Sequence, residues 1–183
     1  MKYRSFIALE APAQVHACLA DRLAALRTVR GVNWVKEQNL HLTLLFLGDV
    51  ESVLIPELEK VLDAHTARRN AFSLALKGLQ LFPAKAPRLV WASLASQDDA
   101  LSLWHKELLK TLRAEGFEPD AKPLRLHITL GRIKSALPAD LEREIMQSAV
   151  EQGFFAYDTL TLYRSVLKPE GPTYHVLNQY KLP

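Results

Sequence analysis

Residues 40–48 read LHLTLLFLG, and residues 126–134 read LHITLGRIK. In both, leucine precedes a histidine, an aliphatic residue separates that histidine from a threonine, and leucine follows. Side chains two apart in a strand point the same way. Read as strands, the stretches each present an imidazole and a hydroxyl on one face. Leu42 and Leu44, or Ile128 and Leu130, are buried behind. The second histidine follows the first by 86 residues, and each motif lies between two helical patterns. This repetition implies a duplicated lobe folded about a pseudo-twofold axis, with equivalent strands facing each other across a groove. The expected organisation is one two-lobed domain over 1–183, with one motif per lobe at 41–44 and 127–130.

Outward from the motifs, alternation at 2–9 reads as a strand carrying Tyr3, Phe6 and Ile7. Pro12 opens a helix to about residue 29, with Val15, Leu19, Leu23 and Leu26 on one face and Gly31 closing it. Residues 32–35 form a short strand, and 40–47 a second that ends at Gly48-Asp49. A helix over 52–67 carries Leu54, Leu58, Val61 and Leu62. Strands at 72–81 and 88–94 are joined by a proline turn at 83–87. The third helix, 98–115, has a stripe of Leu101, Trp104, Leu108 and Leu112 and stops at Gly116. Residues 124–133 are a strand, 137–150 a helix, and 154–167 and 174–182 two closing strands around the turn at 169–172. Hairpin-like connections predict α+β, with antiparallel sheets flanked by helices, and not a doubly wound parallel sheet.

A chain of 183 residues, 49% hydrophobic and 23% charged, can bury an ordinary core, so neither a disordered tail nor a membrane span is expected. No apolar stretch reaches bilayer length. The opening MKYRSFIALEAPAQ has too short an apolar run for a signal peptide, which gives a cytoplasmic expectation. A net charge of +3 and a pI of about 9.0 suit an anionic substrate but are too weak to imply a large nucleic-acid footprint. The lone Cys18, at helical spacing from Val15, reads as a buried thiol, and no disulfide framework is possible. With only 7 glycines, neither the dinucleotide nor the triphosphate loop signature occurs.

Two histidines suit phosphodiester chemistry because in-line displacement needs a proton moved at both ends. One imidazole must be neutral to take a proton from water, and the other charged to protonate the departing oxygen. Threonine hydroxyls can donate to the non-bridging oxygens, where negative charge grows. No Asp/Glu cluster or HExxH accompanies the histidines, so neither a metal nor another cofactor is expected. A single His-x-Thr in a strand is most often structural; two copies in matching context carry the functional reading.

HLTLLFLG (41–48) and HITLGR (127–132) together resemble the two-histidine phosphoesterase superfamily. RSFIALEAP (4–12), RLVWASL (88–94) and LYRSVLKPEGPTYHVL (162–177) are similar to its RNA 2′,3′-cyclic phosphodiesterase branch, also known as 2′-5′ RNA ligase-like proteins. The resemblance implies two similar lobes around a V-shaped groove with both motifs on its floor. It implies hydrolysis of RNA-terminal 2′,3′-cyclic phosphates, tRNA fragments among them, to 2′-phosphates, without metal or cofactor. His41 would donate a proton to the leaving 3′ oxygen, His127 would accept one from water, and Thr43 and Thr129 would hold the phosphate. The motifs themselves are symmetric between acid and base. Alternatives are ADP-ribose cyclic phosphate hydrolysis, net 2′-5′ ligation, or a non-catalytic RNA-end binding module. A monomer is expected, since no apolar stripe is left over.

Arg132 is a further phosphate-binding candidate. Strict alternation puts it with Ile128 and Leu130, away from His127, unless a bulge at Gly131 turns it into the groove; the alternative is a solvated strand-end arginine. Phe46 and Trp34 are candidates to stack a terminal base, with core packing as the competing reading. Tyr174 and His175 either reach the groove or serve the surface or core. His16, His65 and His105 read as structural or solvent-facing, and Arg68-Arg69 as solvated surface.

Overall fold

The computed structural model describes residues 1–67, 69–148, 150, 153–169 and 171–183. The chain order is β1 (Lys2–Glu10), α1 (Ala13–Leu26), β2 (Val32–Trp34), β3 (His41–Glu51), α2 (Ile55–Thr66), β4 (Phe72–Phe82) and β5 (Leu89–Ser96). It continues with α3 (Ala100–Ala114), β6 (His127–Ile133), α4 (Ala139–Gln147), β7 (Phe154–Tyr157), β8 (Thr159–Val166) and β9 (Thr173–Lys181). The recorded pairings are all antiparallel, so the class is the α+β arrangement expected.

The strands form one curled sheet in the order β7-β4-β5-β6-β3-β1-β8-β9, with β2 added against β6. The order is balanced about its centre. The motif strands β6 and β3 are adjacent, each flanked by a partner, β5 or β1, that it pairs with over most of its length. The two strands therefore lie side by side, rather than across open space from each other as the repeat implied. They touch through the single register pair Leu42–Ile128.

One face of the sheet is apolar. Ile7, Leu9, Leu42, Leu44, Val90, Ala92, Ile128 and Leu130 from it join the helical stripes in one buried cluster. Val15, Leu19, Leu23 and Leu26 come from α1, Leu58 and Leu62 from α2, and Leu101, Trp104, Leu108 and Leu112 from α3. Each set follows helical i, i+3, i+4 spacing, so one face of each helix removes its apolar area from water against the sheet. Helix and sheet alternation thus leave the opposite sheet face for chemistry.

Several boundaries differ from the sequence reading: α1 stops at Leu26 rather than about 29, β3 runs on through Gly48-Asp49 to Glu51, β6 begins at His127 rather than 124, and α4 begins at Ala139 rather than 137. The stretch 154–167 is two strands: β7 pairs with β4 and β8 with β1, so Asp158 marks the step between the two ends of the curled sheet. Residues 52–54 form a 3-10 turn ahead of α2, which leaves Leu54 exposed rather than on the buried stripe. A second 3-10 turn, Glu37–Asn39, stands just before the first motif. Arg68, read as surface, lies outside the described residues. Among the described residues no helix is long and apolar enough to cross a membrane.

Candidate active site

Both motif histidines open their strands, at the first residue of β3 and of β6. Because Leu42 pairs with Ile128, His41 comes opposite Thr129 and Thr43 opposite His127, on the face away from the apolar core. The two imidazoles are then carried by diagonal neighbours, residues roughly 7–8 Å apart in such a placement. They are near enough that the charge of one acts on the other: His127 lowers the basicity of His41. His41, Thr43, His127 and Thr129 are each half-buried, whereas Leu42, Leu44, Ile128 and Leu130 are buried behind them.

A bulge in each motif strand adds a fifth and a sixth residue to that face. Along β1, Ala8 pairs with Thr43 and Ile7 with Leu45, so Leu44 is skipped. Along β5, Trp91 pairs with Thr129 and Val90 with Gly131, so Leu130 is skipped. Beyond the skip the faces exchange: Phe6 pairs with Phe46 and Leu89 with Arg132. Directly paired residues share a face, so Phe46 and Arg132 stand on the same side as the histidines. The bulge that could turn Arg132 into the groove is present. Phe46, 53% exposed and with its ring 6.0 Å from that of Phe6, is not a core residue. The charge of Arg132 acts on the Tyr174 phenol, which its own burial pushes up.

Each imidazole is oriented by the carbonyl two residues before it. His127 Nδ1 donates to Arg125 at 2.9 Å, and His41 hydrogen-bonds the Asn39 backbone. Both rings therefore direct Nε2 into the groove, where that of His41 accepts from the Thr43 hydroxyl at 3.0 Å. Burial lowers both basicities. His41 is taken down to about 4 by desolvation, opposed by the Asn39 bond, with His127 lowering it further and Glu10 raising it. His127 is lowered by desolvation, opposed by its Arg125 carbonyl bond, with the Arg125 charge adding to the lowering. Without an anion the site favours two neutral imidazoles, and a phosphate between them would draw protons onto them.

The surroundings hold residues the sequence did not single out. Trp91 lies 4.3 Å from the His127 ring, Phe82 stacks on Trp91 at 4.2 Å, and the Arg125 guanidinium sits 4.7 Å over Phe82. On the other side the His41 ring meets Phe6 at 5.1 Å, Tyr174 at 5.4 Å and Tyr163 at 5.8 Å. Only strand pairing brings these distant segments together; the one advance signal is the alternation that puts Trp91 and Ser93 on a common face. Tyr174 thus reaches the site, while His175 is exposed. Trp34 is half-buried, packs on the core cluster, and donates from its indole to the Val29 carbonyl at 3.3 Å. His16, His65 and His105 bond Glu37, Thr111 and Leu44, outside the groove. Cys18 is partly buried against the core. Among the described residues no three His, Cys, Asp or Glu side chains converge as a metal-binding group.

The family model of LigT-like phosphoesterases matches the chain twice, over residues 9–91 and 94–174. A Thermotoga maritima protein named RNA 2′,3′-cyclic phosphodiesterase is 34% identical over 176 residues, 95% of this chain and 92% of its own. A protein of the same name from Archaeoglobus fulgidus is 30% identical over 97% of this chain and 99% of its own. The crystal structure of TT0787 from Thermus thermophilus superposes with a TM-score of 0.79 at 30% identity, covering 98% of this chain and 97% of that one. Escherichia coli LigT complexed with 3′-AMP shares the fold, with a TM-score of 0.74 at 24% identity over 100% of this chain and 99% of its own.

Proposed function

The chain belongs to the LigT-like phosphoesterase family, and from that premise we propose that it hydrolyses RNA-terminal 2′,3′-cyclic phosphates to 2′-phosphates. The observation that supports this reading is the Leu42–Ile128 pairing, which sets the two imidazoles and two hydroxyls on one face of neighbouring strands. The name carried by the relatives from Thermotoga maritima and Archaeoglobus fulgidus supports the choice of substrate.

The chemistry follows from the side chains. A water attacks phosphorus in line with the P–O3′ bond while neutral His127 Nε2 takes its proton. The P–O3′ bond breaks as protonated His41 Nε2 gives its proton to O3′. The product is a 2′-phosphate with a free 3′-hydroxyl, and the two histidines have exchanged protonation states. Both are oriented for this by the carbonyls that hold Nδ1. Thr43, Thr129 and the Arg132 guanidinium would balance the charge gathering on the non-bridging oxygens, and a monoanionic substrate would restore the basicity that burial removes from His41. Phe46 offers an exposed ring on which the terminal base stacks. No step requires a metal. With a 5′-hydroxyl in place of water, the same proton transfers would join it to the cyclic end as a 2′-5′ bond, and run backwards they would cleave that bond to a cyclic phosphate. The substrate class fits a monomer acting in the cytoplasm on RNA ends, tRNA fragments included.

The test is incubation, in EDTA, with an oligonucleotide ending in a 2′,3′-cyclic phosphate. A 2′-phosphate product is expected. A 3′-phosphate would overturn O3′ as the departing oxygen, and an intact cyclic end the hydrolytic reading altogether.

A further inference from the structure

The two motifs are nearly identical, yet the reaction needs one imidazole charged and the other neutral. The residues opposite them supply the difference. In register, Glu10 on β1 faces His41, and Ser93 on β5 is the equivalent residue facing His127. The carboxylate of Glu10 is fixed there: Oε1 accepts from Thr161 Oγ1 at 2.6 Å, from Gln179 Nε2 at 2.6 Å and from the Tyr163 hydroxyl at 3.4 Å. The nearest fixed charge on the other side has the opposite sign. Arg125, whose carbonyl holds His127, lowers the basicity of that ring.

Resting on the hydrolytic reading above, we propose that Glu10 is the positioning residue that makes the symmetric pair unequal, keeping His41 as the proton donor and leaving His127, opposite a serine, as the acceptor. Desolvation acts on both rings in the same direction, and a phosphate between them lends its negative charge to both. Desolvation is the stronger on His41 and opposes its charge, so neither makes His41 the donor. Glu10 does, because it stands directly across the antiparallel pair from His41 and its negative charge favours the imidazolium there.

The other groups around His41 do not take this part. Tyr163 from β8 stays an un-ionised donor, its phenol pushed up to about 12 by burial and by Glu10. Tyr174 from β9 is raised by burial as well. On β6, His127 and Arg132 are cationic or neutral, and can only disfavour charge on His41. Lys36 from the turn before β3 and His16 from α1 line, with Glu10, a cavity of about 390 Å³ beside the site. The carboxylate of Glu37 is turned to His16, 4.0 Å away. Glu10 is thus the carboxylate among these groups whose charge favours the His41 imidazolium.

The direct test is an NMR titration of the assigned imidazoles in sulfate, an anion that does not itself titrate in the working range. In Glu10→Gln the His41 midpoint should fall by about one pH unit while His127 stays put; Glu10→Asp, which retains the charge, should return it toward the wild-type value. Ser93→Asp should raise the His127 midpoint by about one unit, and it reports even where Glu10→Gln does not fold. An unmoved His41 in Glu10→Gln, equal movement of both rings, or an unmoved His127 in Ser93→Asp would overturn the proposal. In turnover of the cyclic-phosphate oligonucleotide, the alkaline limb of kcat should move to lower pH in Glu10→Gln. A uniform loss at all pH values would make Glu10 merely structural. The titration needs no turnover, so absence of hydrolysis would count against the proposed function, and absence of the midpoint shift against Glu10.

Discussion

His105, buried on α3, donates from Nε2 to the carbonyl of Leu44 at 3.1 Å. Leu44 is the residue skipped by β1 where the first motif strand bulges, so its carbonyl lies at the break in the ladder. The second motif solves the same problem differently: the carbonyl of Leu130, skipped by β5, accepts from the Val35 amide at 2.8 Å. The bulges aim Phe46 and Arg132, and the two hydrogen bonds hold the bulges. Replacing His105 with alanine leaves a buried carbonyl without its partner. A loss of about 1–3 kcal/mol in unfolding free energy is expected, measured by urea denaturation. Wild-type stability in this variant would show that the bulge needs no support from α3.

Stability should fall on mild acidification. His41, His105 and His127 are all held below the ordinary 6.5 by desolvation first, His41 reaching about 4. The unfolded chain takes up protons near 6.5 that the folded protein refuses. Their contribution is complete above 6.5 and is lost as pH falls from 6.5 toward about 4. Asp120, held low by the Lys122 hydrogen bond, and Asp158, held low by Lys181, add losses only below 3.8. Urea midpoints measured from about pH 8 to pH 4 should therefore be level at first and then decline. A midpoint that rises across that window would contradict this.

Where the sequence was readable, a strict period was the reason. The stripes of α1 and α3 and the His-x-Thr pairs follow helical and strand repeats of about 3.6 and 2 residues, and the faces they imply are those in the fold. The bulges break the period. Counted by twos, Phe46 and Arg132 belong with Leu42 and Ile128 in the core; one skipped residue moves both to the groove. Gly131 was the only local sign of this. The split at Asp158 left no period to break, since both halves of 154–167 read as strand and only their partners differ. Glu10, Trp91 and Tyr163 reach the site through pairing between distant segments, which single-segment patterns do not carry.

Gly131 is needed for space. A β-carbon built there would fall 2.5 Å from Val32 Cγ1 and 2.9 Å from the Trp34 ring, both on the short strand β2 that pairs with β6. Gly131→Ala should push β2 away and disturb the aim of Arg132 next to it. A destabilisation of about 1–3 kcal/mol is expected, together with weaker binding of inorganic phosphate by calorimetry. Unchanged phosphate affinity would separate Arg132 from the glycine's role.

Arg132 itself should matter to binding more than to proton transfer. Arg132→Ala is expected to weaken phosphate binding by about 10- to 100-fold, the scale of a lost charged hydrogen bond, and Arg132→Lys to restore it only in part. The pH limbs of turnover should stay where they are. An alanine variant with wild-type KM would return Arg132 to the solvated surface.

The central claim is that His41 and His127 act as a pair on one phosphorus atom. It is tested most directly by turnover of a cyclic-phosphate oligonucleotide, in EDTA, by His41→Ala and His127→Ala, each checked for folding. The expected result is that either change alone removes roughly 10²- to 10⁴-fold in kcat, with the double variant little worse than the singles. Near wild-type turnover in either single variant would contradict the account.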